Sequence, residues 1–134
     1  MRDQLSYESY AVAINDVAHA ATFNGNSIDV NALNNGNNAL TFVFFAGIIT
    51  DGTHVFTLYD SPDNVTFTAV AANETLTHGT PTFNSATAVG AIASIAYLGQ
   101  QRYVRATSTI ASPTTGGVYG ALAVLALPNT LPAV

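Results

Sequence analysis

Short apolar stretches, separated by clusters of Gly, Pro, Asn and Ser, run through this chain from residue 27 onward. Several stretches alternate between apolar and polar residues; within 65–70, Val, Phe and Ala alternate with two Thr residues. A period of two places successive side chains on opposite faces of a β-strand, whereas a helix needs a period near 3.6. The succession of short strands and turn clusters is typical of an antiparallel sandwich or barrel rather than of alternating strands and helices.

The apolar stretches predict an all-β fold of seven or eight strands, arranged as an antiparallel two-sheet sandwich of jelly-roll type. The run 40–46 is apolar on both faces apart from Thr41, which predicts a central strand. The sequence Ser-Pro-Asp-Asn at 61–64 predicts the turn of a hairpin. The predicted strands are residues 27–31, 40–46, 54–60, 65–70, 92–98, 102–110 and 118–127, with room for one further edge strand in the polar connection 72–89.

The first 25 residues differ from the rest of the chain. They alternate only weakly, carry three of the eight acidic residues and end in a turn signal, Asn24-Gly25-Asn26. A short helix over 10–21 is the alternative, but β-branched residues disfavour it. We therefore divide the chain into an extended N-terminal arm, residues 1–25, and a β-sandwich domain, residues 26–134.

Charged residues are scarce in this chain. Three Arg, no Lys and eight acidic residues make up 8% of the sequence and give a net charge of −5, whereas an average soluble domain has about 25% charged residues. Three cations are too few for the basic face that binds nucleic acid, so no nucleic-acid partner is expected. We expect Ser, Thr and Asn to face the solvent, and a sizeable apolar surface to be buried against other chains.

No membrane partner is expected either. The N-terminal sequence lacks the basic-then-apolar pattern of a signal peptide. The longest apolar runs have about half the length that spans a bilayer. We therefore expect a protein that is made in the cytoplasm.

Residues that carry catalytic or metal chemistry are not grouped in the sequence. His19, His54 and His78 stand far apart, and we interpret them as surface or loop residues. Asp60 and Asp63 flank one turn, where they either hold a calcium ion or cap the turn through its backbone; we prefer the second interpretation. The sequence has no nucleophile elbow and no phosphate-binding loop. It therefore predicts neither an enzyme nor a cofactor or metal site.

Arg102 and Arg105 bracket Tyr103 and Val104 on one predicted strand. Alternation places Tyr103 and Arg105 on one face and the other two residues on the opposite face. Arg and Tyr are enriched in protein interfaces, so Arg102, Tyr103 and Arg105 are candidate contacts between chains. The equally weighted alternative is that they cover a sheet face.

Five stretches, taken in order, resemble a group of small virion proteins of tailed bacteriophages. They are LTFVF at 40–44, GIITDGT at 47–53, LYDSPDNVTF at 58–67, YLGQQRYVR at 97–105 and VYGA at 118–121. Phe67 stands at an aromatic position of that pattern, whereas Gln101 stands where such proteins often carry a basic residue. The resemblance covers roughly residues 27–128.

The resemblance implies a capsid decoration, or cement, protein. Such proteins are small β-sandwiches, typically trimeric, that sit on the outer surface of the icosahedral head and tie neighbouring major capsid proteins together. The implied partners are the major capsid protein and further copies of the chain, and the arm would lie over the shell. The implied shell contacts are Leu5, Tyr7, Tyr10, Val12 and Ile14, and the implied intersubunit contacts are Arg102, Tyr103, Arg105 and Tyr119.

Two other functions compete with this interpretation. A carbohydrate- or receptor-binding sandwich would need an exposed aromatic platform, for which Tyr59, Tyr97, Tyr103 and Tyr119 are candidates. A structural role at the head–tail junction or in the tail is the other alternative, and the sequence separates it poorly from capsid decoration.

Overall fold

The computed structural model describes residues 8–31 and 39–126. Eleven β-strands and one turn of 3₁₀ helix, Ala72–Glu74, lie within these residues. The strands are β1 (Glu8–His19), β2 (Phe23–Asn24), β3 (Ile28–Asp29), β4 (Ala39–Ile49), β5 (Thr53–Ser61), β6 (Thr68–Ala69), β7 (Thr75–His78), β8 (Thr82–Phe83), β9 (Ile92–Tyr97), β10 (Tyr103–Ala111) and β11 (Gly117–Ala126).

The strands form two antiparallel sheets that pack face to face, which confirms the predicted sandwich. Sheet A has the order β1-β11-β4-β9-β7. Sheet B has the order β2-β10-β5-β6, with β3 also paired to β10 and β8 also paired to β5. No helix among the described residues has the length and apolar character needed to cross a bilayer.

The strand count is higher than the predicted seven or eight for two reasons: one strand is broken in two, and the connection 72–89 contains two short strands. β2 and β3 pair with successive parts of β10 and act as one broken strand. β7 and β8 are short strands inside the connection 72–89. If β7 and β8 are left out and β2 and β3 are counted as one strand, eight strands remain. Numbered from 1 to 8 along the chain, they have the order 1-8-3-6 in sheet A and 2-7-4-5 in sheet B. That order is the pair of Greek keys of a jelly roll.

The prediction of an extended N-terminal arm is wrong for residues 8–25, the part of it that the structure describes. β1 pairs with β11 from Glu8 to His19, and Ala13 and Ile14 are buried in the core. Alternation is weak here because the register shifts between Val12 and Ile14 and again between Ile14 and Val17. Each bulge inserts an extra residue and breaks the period of two. The segment is therefore an edge strand of the sandwich.

The core lies between the sheets and is built from alternate residues of the long strands. On β4, Leu40, Phe42 and Phe44 point inward and are at most 1% exposed. Phe44 stacks on Phe56 of β5 with ring centroids 4.3 Å apart, which joins the two sheets. β4 is the middle strand of sheet A, as its apolar sequence predicted.

The predicted hairpin after β5 forms its turn but only a short return strand. Ser61 and Asp63 hold the turn: the Asp63 carboxylate accepts hydrogen bonds from the Ser61 hydroxyl and from the backbone N–H groups of Val65 and Thr66. These bonds keep the chain out of the ladder as far as Thr66. Strand pairing is consequently limited to Thr68–Ala69.

Candidate interaction surfaces

The outward side chains of sheet A form a surface that we call the apolar face. Three rows of paired residues cross it, since paired residues in neighbouring strands point to the same side. The first row is Tyr10, Val124, Thr41, Ala96 and Leu76; the second is Val12, Leu122, Val43, Ser94 and His78; the third is Gly120, Phe45 and Ile92.

The apolar face keeps large hydrophobic side chains in contact with solvent. Val12, Leu76 and Ile92 are 52%, 66% and 60% exposed, and Val43 and Phe45 in the middle are half-buried. The three rows contain no Asp, Glu, Lys or Arg. An exposed apolar patch without charge is a candidate interaction surface.

The outward side chains of sheet B form a different surface, which we call the hydroxyl face. On β5 it carries Thr53, Val55, Thr57 and Tyr59, and on β10 it carries Arg105, Thr107 and Thr109. Thr107 is buried and donates to Asn24 Oδ1. Thr53, Thr57 and Thr109 are exposed, and their hydroxyl groups can bond to water, so this surface is suited to solvent.

Arg105 is the cation of the hydroxyl face. Its guanidinium carbon lies 4.0 Å from the centroid of the Phe67 ring, a cation–π contact. Its Nε atom is buried without a hydrogen-bond partner in the structure. The Phe67 ring therefore holds Arg105 close to the sheet, which is the arrangement expected of a residue that covers a sheet face.

Arg102 lies just before β10 and is paired with an acid of its own chain. Its Nε and Nη2 atoms donate to the two carboxylate oxygens of Asp29 at 3.1 Å and 3.0 Å. This bidentate pair lowers the pKa of Asp29. The guanidinium also lies 5.1 Å from the ring centroid of Tyr103. Tyr103 and Arg105 point outward and Val104 is buried, as alternation predicted for these three residues.

Tyr119 was expected at an intersubunit contact, and that expectation is wrong. It is 0% exposed and packs between the sheets against Phe56 and Phe83. Its hydroxyl oxygen lies 3.1 Å from His54 Nδ1 and 2.7 Å from Ser108 Oγ. Burial raises the pKa of Tyr119 to about 12. Alternation along β11 is correct, but Tyr119 belongs to the inward set.

The expected shell contacts on the arm are separated by the structure. Tyr10 and Val12 lie on the apolar face, 48% and 52% exposed. Ile14 is 2% exposed in the core, so it is wrong as a contact residue. Leu5 and Tyr7 lie outside the described residues. Of the three described residues, Tyr10 and Val12 have the exposure that a contact requires.

The interpretation of His54 as a surface or loop residue is wrong. It is 0% exposed, and Nε2 donates to the backbone carbonyl oxygen of Asp51 at 3.1 Å. His78 is exposed, and His19 is half-buried and stacks on Phe23. The residues that the structure describes contain no group of three or more His, Cys, Asp or Glu placed to hold a metal ion.

Asp60 and Asp63, weighed as calcium ligands, are both used by the protein. Asp63 caps its turn, and the hydrogen bonds from the backbone N–H groups of Thr66 and Val65 lower its pKa. Asp60 Oδ2 accepts a hydrogen bond from the Tyr97 hydroxyl at 2.7 Å. Asp63 therefore caps a turn, and Asp60 joins β5 to Tyr97 at the end of β9.

Asp51 fastens two connections between the sheets. Its carboxylate accepts hydrogen bonds from the backbone N–H groups of Thr114, Thr115 and Gly116, at 2.7–3.1 Å. These bonds lower the pKa of Asp51. Gly116 has φ = +81°, and a Cβ there would overlap the carbonyl oxygen of His19. The β4–β5 turn and the β10–β11 loop are thereby held together.

Two shallow clefts lie on either side of the loop after β9. They measure about 450 Å³ and 480 Å³ and share Leu98, Gln100 and Gln101. Asp60 and Glu74 add carboxylates to the second cleft. Carboxylates and amides bind sugar hydroxyls, but neither lining includes a described aromatic residue.

The proposed aromatic platform for carbohydrate is divided among different sites. Tyr97 and Tyr119 are buried, with 6% and 0% exposure. Tyr59 and Tyr103 are half-buried on the hydroxyl face. The four residues therefore do not form one exposed surface.

No family model matches the chain, and neither curated proteins nor solved structures show a match to it. A function for this chain therefore rests on its sequence and on the geometry of its two sheets.

Proposed function

We propose that this protein is a structural component of a phage virion that decorates the outer surface of the icosahedral head. In this role it bridges neighbouring major capsid proteins and self-associates, as a trimer according to the resemblance. The protein is synthesised in the host cytoplasm and acts on the assembled head.

The single observation that supports this proposal best is the contrast between the two outer faces. The apolar face is suited to contact with protein, and the hydroxyl face is suited to water. A protein on the outside of a shell needs both surfaces at once. The Arg102–Asp29 pair and the Arg105–Phe67 contact use within the chain two arginines that the resemblance implies as intersubunit contacts, so these two residues do not add support for the trimer.

Decoration would stabilise the head by mass action. A protein that binds the assembled shell and not its separated subunits raises the free energy needed to open the shell. Many weak contacts, repeated over a symmetric surface, give a strong total attachment. The chain would need no catalytic group for this role.

Cryo-electron microscopy of the virion that contains this chain tests the proposal. We expect density for the jelly roll on the outer surface of the head, at sites between major capsid proteins. Density confined to the portal vertex or the tail would contradict decoration and favour the junction or tail role.

A second candidate function, binding of carbohydrate, would have to use the cleft that contains Asp60 and Glu74, because the four tyrosines form no exposed platform. Titration of the isolated protein with polysaccharides tests it. Saturable binding that Glu74→Gln and Gln101→Ala weaken would favour this function over decoration. Binding that neither substitution changes would leave the cleft without a role in it.

A further inference from the structure

We infer that a second copy of this chain covers the apolar face, so that two copies pair through their sheets A. This inference goes beyond the proposed function, because it concerns the chain in solution; on the head, the same face would contact the shell in place of the second copy. It rests on the sequence of β4, on the size of the face and on the distribution of charge.

β4 has the sequence of a strand that is covered on both sides. Its inward residues, such as Phe42 and Phe44, meet sheet B. Its outward residues, Val43 and Phe45, are equally apolar yet lie on the half-exposed apolar face. Strands buried on both faces have continuous apolar sequences, whereas strands with one solvated face alternate. The outer face of β4 therefore has the composition of an interface.

The size of the face suits a weak contact between two copies. Its thirteen positions, each covering about 4.8 Å by 7 Å, give it roughly 440 Å². Two such faces together bury roughly 900 Å², just below the roughly 1,000 Å² of a stable specific interface, so the pair is a weak and reversible one. Two sheet faces pack about 10 Å apart with their strands nearly aligned, as in the core of a sandwich.

Charge favours this face over the rest of the surface for pairing. Each copy has a net charge of −5, so contacts through acidic regions would repel. The three rows of the apolar face carry no charged residue. Two acids of the edge strand β1 adjoin the face: Glu8 accepts a hydrogen bond from the Tyr10 hydroxyl of the first row, and Asp16 lies beside Gly120 at the end of the third row.

Pairing through one identical face has twofold symmetry. Val43 lies in the middle row of the middle strand, so it is close to the twofold axis and meets the second copy. A trimer contact, by contrast, joins two different patches on each copy. The pair is therefore separate from the trimer contact that the resemblance implies.

Light scattering on the purified full-length chain, together with the variants Val43→Glu and Thr57→Glu, tests the inference. Wild type should have the mass of two protomers, or of six where a trimer contact forms as well. Val43→Glu should halve that mass because it places two like charges at the axis. Thr57→Glu adds the same charge to the hydroxyl face, at an exposed position of β5, and should leave the mass unchanged.

A second variant guards against loss of folding. Ile92 is 60% exposed in the third row, so Ile92→Glu should keep the far-ultraviolet circular dichroism of wild type and still halve the mass. A wild-type mass of one or three protomers would overturn the inference. So would a mass that both face variants leave unchanged while they remain folded. Neither result would contradict decoration of the head, which the virion density tests separately.

Discussion

On sheet A the outward positions of the central strands carry Val43, Phe45, Leu122 and Val124, whereas on sheet B they carry Thr57, Thr107 and Thr109. Both sheets follow the same alternation, and both turn apolar side chains toward the shared core. Only the other half of the pattern differs. The inward residues therefore determine how the two sheets pack, and the outward residues determine whether each outer face is suited to protein or to solvent.

The difference also explains the low charge of the chain. A hydroxyl-rich face stays soluble without ions, and an apolar face would need none if protein covers it as proposed. The acids whose contacts are described serve local structure: Asp29 pairs with Arg102, Asp51 joins two loops and Asp63 caps a turn. These three acids therefore fix connections of the fold.

The strongest test of the comparison removes one border of the apolar face. Deleting residues 1–25 takes away β1, with the buried Ala13 and Ile14, and also β2 of sheet B, and it exposes the edge of β11. We expect the cooperative unfolding transition to be lost, as seen by circular dichroism during a urea titration. If the truncated chain keeps the wild-type unfolding transition, residues 1–25 are an arm outside the folded domain, as the sequence suggested.

The second test compares two neighbours on β4 that point to opposite sides. Phe44→Ala should lower the free energy of unfolding by about 3–5 kcal/mol, because Phe44 is fully buried and stacks on Phe56. Phe45→Ala, on the half-exposed apolar face, should cost about 1 kcal/mol in the separated chain. Urea unfolding at low protein concentration measures both values. Equal losses would mean that the outer side of β4 is a second core within one copy.

These paired residues also show how far sequence alone reaches. Alternation correctly placed the strands around β4, β5, β9, β10 and β11, because a period of two survives wherever the ladder is regular. It failed on β1, where two bulges shift the register. It also could not assign Tyr119 or His54, since a pattern tells which residues share a face but not which face is the inner one.

The candidate surface was only partly predictable for the same reason. An apolar surface buried against other chains was expected, but the contacts were assigned to the arm and to Arg102, Tyr103, Arg105 and Tyr119. The signal that would have found it is the continuous apolar sequence of 40–49, which exceeds what a single core requires. Locating Leu76 and Ile92 beside that run needed the pairing of β7 and β9 with β4, which is a property of the fold.

The third test concerns the connections that hold the two faces back to back. The backbone N–H groups of Gly116, Thr115 and Thr114 lower the pKa of Asp51 in the folded state. The resulting stabilisation is complete above the ordinary pKa of an unfolded Asp and is lost as the pH falls through the lower folded pKa. We expect the urea midpoint of wild type to fall on acidification over that range.

Asp51→Asn should lower the urea midpoint at neutral pH and reduce its fall on acidification. Some dependence on pH should persist, because Asp63 also has a lowered pKa. Asp51→Glu keeps the charge but displaces the carboxylate from the three N–H groups, and should also lower the midpoint. If the urea midpoint of Asp51→Asn depends on pH as that of wild type does, the hydrogen bonds to the Asp51 carboxylate contribute nothing to folding stability.

The smallest expected effect lies on the hydroxyl face, where Arg105 rests on Phe67 at 4.0 Å. A cation–π contact of this kind contributes about 0.5–1 kcal/mol. We therefore expect the double-mutant cycle of Phe67→Leu and Arg105→Met to give a coupling energy of that size in urea unfolding. The same variants should leave the mass in solution unchanged, because neither residue lies on the apolar face. Additive effects on stability would mean that the contact between the two side chains contributes no coupling energy. A change in the mass of the protein in solution would indicate that copies associate through sheet B and not through sheet A.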